Sequence, residues 1–223
     1  MVSASALWFP AGNRDQISDP LLSSHWGFWA TLFWSLLIVI VFFIAQLLTL
    51  LIPIVSSYHN IYSWLQFEAE LQSVAYNGNA LAYATFMSTI VCCSLIGGII
   101  KIKKRATLKD YLFLYRVSIQ TAASWFVITL GFIVLSTLVL YSLGEPITQQ
   151  WLFDVYTTAR PVWVLWIALL IGAPVFEEMF FRGFMFRGLQ SSFLGLTGTI
   201  VVTSSLWAVI HLQYDFYVMI DIG

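Results

Sequence analysis

Between Asp19 and Glu68 the chain carries no aspartate, glutamate, lysine or arginine. Within that gap, Trp26 to Ile52 reads WGFWATLFWSLLIVIVFFIAQLLTLLI. A helix of that length crosses a hydrocarbon layer of ~30 Å, because each residue advances it by about 1.5 Å. The run is too long, and has the wrong flanks, for a cleavable signal peptide. Four more charge-free gaps follow, at 80–100, 117–144, 161–176 and 188–214, the last interrupted only by His211. They predict an all-α fold, a polytopic transmembrane helical bundle of at least five spans, with a sixth cut off near Phe216. Composition agrees: 9% of residues are charged, against about 25% in a soluble domain. A soluble core of this size would have too few charges to cover it. The formal net charge of −1 gives no support for a nucleic-acid partner.

The basic residues orient the spans. Lys101, Lys103, Lys104, Lys109, Arg105 and Arg116, six of the ten, lie directly after the second gap, and the 53–79 stretch has none. By the positive-inside rule that loop is cytoplasmic, where it also attracts anionic lipid. The N-terminal segment 1–25 is then cytoplasmic, and the 53–79 and 145–160 loops lie outside. Residues 26–223 form the transmembrane domain, with the informative motifs in 163–223. Two polar segments, near Ile61 to Val74 and Thr148 to Tyr156, read as helices lying along the membrane surface. Cys92 and Cys93 are adjacent in an apolar run and read as packing residues.

Chemistry concentrates in Pro174-Val-Phe-Glu177-Glu178-Met-Phe-Phe-Arg182. Charges among phenylalanines in a span are costly and usually pair. Glu178 and Arg182 stand four apart on a helix, in the order that favours an ion pair. The i+4 neighbour of Glu177 is Phe181, so Glu177 is left partly desolvated, the setting that suits a general base. His211 sits in the last charge-free gap. Glycines at 188, 195 and 198 mark a turn between the two helices. Glu177 and His211 are then about 17 and 20 Å from that turn on antiparallel neighbours. A carboxylate and an imidazole at one depth can activate a water, or contribute to a metal site. Two ligands are too few for a catalytic zinc, and no HExxH is present. Pro174 is expected to kink or restart the helix.

These residues resemble a known group. Glu177-Glu178-x-x-x-Arg182, followed by Trp207-x-x-x-His211, is similar to the first two motifs of the CAAX protease and bacteriocin-processing family, which includes the type II CAAX prenyl endopeptidases. Family members usually carry Phe where Trp207 stands. Their third motif, a His with Asn or Asp four later on a further helix, is absent up to Gly223, so a C-terminally truncated fragment of reduced or no activity is expected.

The resemblance implies an intramembrane endopeptidase. It would hydrolyse a peptide bond of a membrane-embedded or lipid-anchored protein or peptide, and its other partner would be the bilayer. Glu177 and His211 would be catalytic, with Glu178 and Arg182 as a structural pair and Trp207 and Phe181 lining the pocket. The cofactor is unknown; the resemblance leaves open a divalent metal such as zinc, with Glu177 and His211 as part of its ligand set. The motif flanks imply a multi-pass protein of the bacterial inner membrane. A second reading keeps the fold without the chemistry, as a membrane scaffold or bacteriocin-immunity-type protein. A third, a proton-coupled carrier, lacks the repeated broken helices that many carriers show.

Overall fold

The computed structural model describes residues 25–56, 63–104, 106–144 and 150–211. The sixth span expected from Phe216 lies outside the described residues. Within them the regular elements are helices: α1 Phe28–Ser56, α2 Trp64–Ala75, α3 Gly78–Ile102, α4 Leu108–Tyr111, α5 Ile119–Ser142, α6 Gln150–Thr158, α7 Val162–Gln190 and α8 Gly195–Val209. Of these, α1, α3, α5 and α7 are long and apolar enough to cross a membrane, and α8 is apolar but shorter. The chain is a helical membrane bundle.

Helix starts follow the sequence chemistry. Ser63, Thr107 and Ser118 each accept a backbone N–H of the first turn they precede, and Asn77 accepts two, from Asn79 and Ala80. These side chains satisfy donors that a helix leaves orphaned at its N-terminus.

Three spans make the core. Ile38 of α1, Ile96, Ile99 and Ile100 of α3, and Phe176, Phe180 and Phe184 of α7 are buried together. Phe42 of α1 stacks on Phe176, with centroids 4.8 Å apart and planes at 12°; Phe176 in turn stacks on Phe180 at 5.6 Å. In lipid, where the hydrophobic drive between helices is weak, close packing of this kind holds spans together.

α7 runs past the end of its charge-free gap at Phe176 to Gln190, so the two glutamates lie within a span. Gly188 is not a turn residue. It lies inside α7 against Thr31 of α1, and any Cβ there would collide with the Thr31 side chain. The turn falls at 191–194, and Gly195, at φ +58°, makes the left-handed step into α8. Gly198 lies within α8.

Pro174 does not break α7. Wide π turns occupy Ala168–Gly172 and Glu178–Met185, on either side of the α-helical segment Ala173–Glu177. A π turn ahead of Pro174 makes room for a ring that would clash with the preceding turn of a regular α-helix. Thr89 of α3 donates its hydroxyl to the Gly172 carbonyl at 3.1 Å and ties this irregular stretch to the neighbouring span.

The segment read as a weaker surface helix proves to be part of the packing. Val155 and Ala159, in and just after α6, are buried with Ala82 of α3 and with Leu165 and Ala168 of α7. Gly78 allows the approach, since a Cβ there would strike the Val155 carbonyl. Asn79 donates to the Arg160 carbonyl and accepts the Arg160 N–H, both at 2.9 Å. Thr158 accepts the Gly78 N–H at 2.9 Å. By contrast α2, the other expected surface helix, buries only Val74.

Candidate active site

The site forms where α7 passes α1, α6 and the end of α8. A cavity of about 590 Å³ is lined there by Phe42 and Gln46 of α1, Trp151 and Leu152 of α6, Phe176, Glu177, Phe180 and Phe181 of α7, and Ile210 and His211 after α8. Glu177 and His211, residues expected from the sequence to share one depth, both line it. Phe181 is buried at its wall.

Trp207 reaches Glu177 directly. Its indole Nε1–H donates to Glu177 Oε2 at 3.2 Å. One turn on, His211 Nδ1 lies 2.7 Å from the Trp207 carbonyl, and the two rings are 4.5 Å apart. A carbonyl only accepts, so in this contact Nδ1 carries the proton and, in a neutral ring, Nε2 carries the lone pair. Trp207 thus links carboxylate and imidazole, one through its side chain and the other through its backbone. The hydrogen bond gives the tryptophan a polar role that phenylalanine at the same place would lack.

Glu178 and Arg182 form the ion pair that their spacing predicts. The side chains are 54% and 77% exposed, so among the described residues the pair faces outward and is not buried. Successive residues on a helix point about 100° apart, which turns Glu178 away from the cavity that Glu177 faces. A smaller recess of about 130 Å³ joins the two carboxylates, Arg182, Thr203, Ser204 and Trp207.

Arg187 stacks on Phe113, with its guanidinium carbon 3.2 Å from the ring centroid. Phe113 holds a left-handed backbone, φ 55°. Outside the spans, Tyr111 is almost wholly buried and stacks on Phe184 of α7 at 5.7 Å; burial pushes its hydroxyl up to about 12.

The cavity supplies one carboxylate and one imidazole, and among the described residues no three His, Cys, Asp or Glu side chains cluster as metal ligands. This donor set falls short of the three protein ligands of a catalytic zinc. Sequence reasoning also missed several of the lining residues. Gln46 was hidden in the most apolar span, although it is the single carboxamide in α1. Trp151 and Leu152 were hidden because α6 looked peripheral.

The two carboxylates, the arginine and the tryptophan–histidine step now stand in one neighbourhood. Residues 159–222 match the family model described as Rce1-like, type II CAAX prenyl endopeptidase. The match begins just ahead of α7 and takes in Glu177, Glu178, Arg182, Trp207 and His211. It agrees with the resemblance read from the motifs. Residues 1–158, which supply Gln46, Trp151 and the α1 and α3 packing, lie outside this Rce1-like segment. No curated protein and no solved structure matches the chain.

Proposed function

We propose that the chain is an intramembrane endopeptidase of the CAAX prenyl type, with Glu177 as general base and His211 as its partner. The observation that carries this reading is that a carboxylate of α7 and an imidazole just after α8, both within the segment that matches this family, line one cavity. Glu177 takes a proton from a water as that water attacks the scissile carbonyl carbon. Trp207 holds Oε2, leaving Oε1 to receive the proton. His211 hydrogen-bonds the reacting group and helps return a proton to the leaving amine, as general acid–base catalysis requires. Glu178 and Arg182 pair across one turn on the outward face of α7.

The substrate class proposed is a lipid-anchored C-terminal peptide. A groove of about 440 Å³ with a wholly apolar lining adjoins the cavity and shares Leu152 and Leu169 with it. Leu165, Trp166 and Leu170 of α7 and Phe153 and Tyr156 of α6 complete it. A lipid chain lying there would bring its peptide to Glu177.

The test is cleavage of a farnesylated CAAX peptide by membranes containing the protein. Glu177→Gln is expected to abolish turnover at unchanged expression, and His211→Ala to reduce it at least ~10²-fold. Cleavage retained by Glu177→Gln would overturn the reading and favour the scaffold alternative.

A further inference from the structure

Gln46 is a carboxamide in a helix otherwise built from apolar and small hydroxyl residues. It is half-buried, it faces the cavity that holds Glu177 and His211, and no described residue hydrogen-bonds its side chain. A polar group without a partner in an apolar span is costly. Packing does not explain it, since leucine or methionine would fill the same volume.

The register of α1 against α7 fixes its level. The two helices run antiparallel, with Thr31 against Gly188 at one end and Phe42 stacked on Phe176 further along. Gln46 lies one turn beyond Phe42 on the same face. Glu177 lies one residue from Phe176 in the opposite axial direction. At about 1.5 Å per residue, Gln46 and Glu177 stand about 7 Å apart along the bundle axis. An extended peptide advances about 3.3 Å per residue, so that offset corresponds to two residues of substrate.

We infer that Gln46 binds the main chain of the substrate two residues from the scissile bond. The inference rests on the endopeptidase reading and adds a residue outside the Rce1-like segment. A carboxamide presents one acceptor and two donors, so it pairs with both the N–H and the C=O of an extended residue. Such a contact holds the backbone and leaves side-chain choice to other walls.

The experiment combines a protein change with a peptide change. A fluorescein-labelled farnesylated CAAX peptide, and a set N-methylated at one backbone position each, are bound to the Glu177→Gln protein in detergent micelles and read by anisotropy. The same peptides are turned over by the protein with Glu177 intact. Gln46→Leu is expected to weaken binding and raise KM about tenfold, with kcat within about twofold, as loss of its two hydrogen bonds to the substrate backbone implies. N-methylation two residues from the cleaved bond should weaken binding to the Gln46 protein by a similar factor and cost Gln46→Leu nothing more. If the two losses multiply, or if Gln46→Leu binds every peptide as Gln46 does, the inference is wrong. Gln46→Met repeats the measurement with a side chain of nearly equal length and no hydrogen bond. A peptide that binds in a Gln46-dependent way but is never cleaved would sink the endopeptidase reading and leave Gln46 as a peptide contact. Cleavage lost only in Glu177→Gln, with binding indifferent to Gln46, would do the reverse.

Discussion

α5 and α7 are both long enough to span a membrane, and α5 is the more hydrophobic, with a mean hydropathy of 2.2 against 1.8. Their positions in the molecule are opposite. No residue of α5 is buried, whereas α7 buries Leu165, Ala168, Phe176, Phe180, Phe181, Phe184, Met185 and Leu189. Hydropathy reports affinity for lipid, and lipid is as apolar as a leucine face, so it cannot report packing. Packing is reported by what breaks the apolar monotony. α7 has glycines where neighbours come close, a proline between π turns and three charged side chains in mid-span. The glycine in α5, Gly131, meets nothing within 4 Å.

The largest expected effect uses this contrast directly. Gly188→Leu would drive a side chain into Thr31, and α1 and α7 could no longer dock. The expected result is protein that fails to run as a single species in detergent and is degraded in cells. Gly131→Leu puts the same side chain into open surroundings on α5 and should leave yield and melting temperature unchanged. A harmful Gly131→Leu would show that α5 has a partner surface. Next in size is Phe176→Ala, which removes the ring between Phe42 and Phe180. Phe→Ala costs roughly 3–5 kcal/mol in a soluble core, and in lipid the transfer share of that falls away. A smaller but clear loss of stability is therefore expected in chemical denaturation. Phe132→Ala on α5, more than half exposed, should change stability by no more than about 0.5 kcal/mol.

The same contrast explains what was legible in the sequence. The charge-free gaps located the spans because a buried charge in lipid is costly wherever it sits. The Glu178–Arg182 pair was legible because helical spacing alone brings the two side chains together. The C-terminal end of α7 was not legible: Gly188 was read as part of the turn, but the helix runs on to Gln190. Glycine serves both tight turns and close helix contacts, and only the presence of Thr31 opposite distinguishes them. Gln46, Trp151 and Leu152 come from three-dimensional proximity that no local spacing encodes.

A smaller effect is expected from the hydroxyl that braces the irregular part of α7. Thr89→Val keeps the shape and removes the bond to the Gly172 carbonyl. Hydrogen bonds between membrane helices average about 0.6 kcal/mol, with some near 1–2. A loss of about 1 kcal/mol is expected in an unfolding titration. Thr129→Val on the exposed α5 should cost nothing measurable. Equal losses at the two sites would mean that the Thr89 contact adds nothing specific.

The smallest effect lies in the link through which α5 leaves the core. Asp110 accepts hydrogen bonds from the hydroxyls of Thr107 and Tyr115, both at 2.6 Å. These bonds, with Lys109 close by, hold its carboxyl below the usual carboxylate range, and the same contact holds the Tyr115 hydroxyl above the usual phenol range. The sign follows from the ionised form being favoured in the folded loop. The support it gives is complete above the ordinary carboxylate value of about 3.9 and is lost as pH falls through the lower folded value. Amide exchange across Thr107 to Tyr115 should therefore lose protection on acidification below pH 4, while the amides of α7 beside Phe180 stay protected. Asp110→Asn should show the weaker protection at neutral pH and no further step in acid. Because both hydrogen-bond partners of Asp110 lie within the loop, the change should stay local to it. If α7 opened together with it, the link would belong to the same cooperative unit as the core, and the division between a welded α7 and a detached α5 would not hold at their junction.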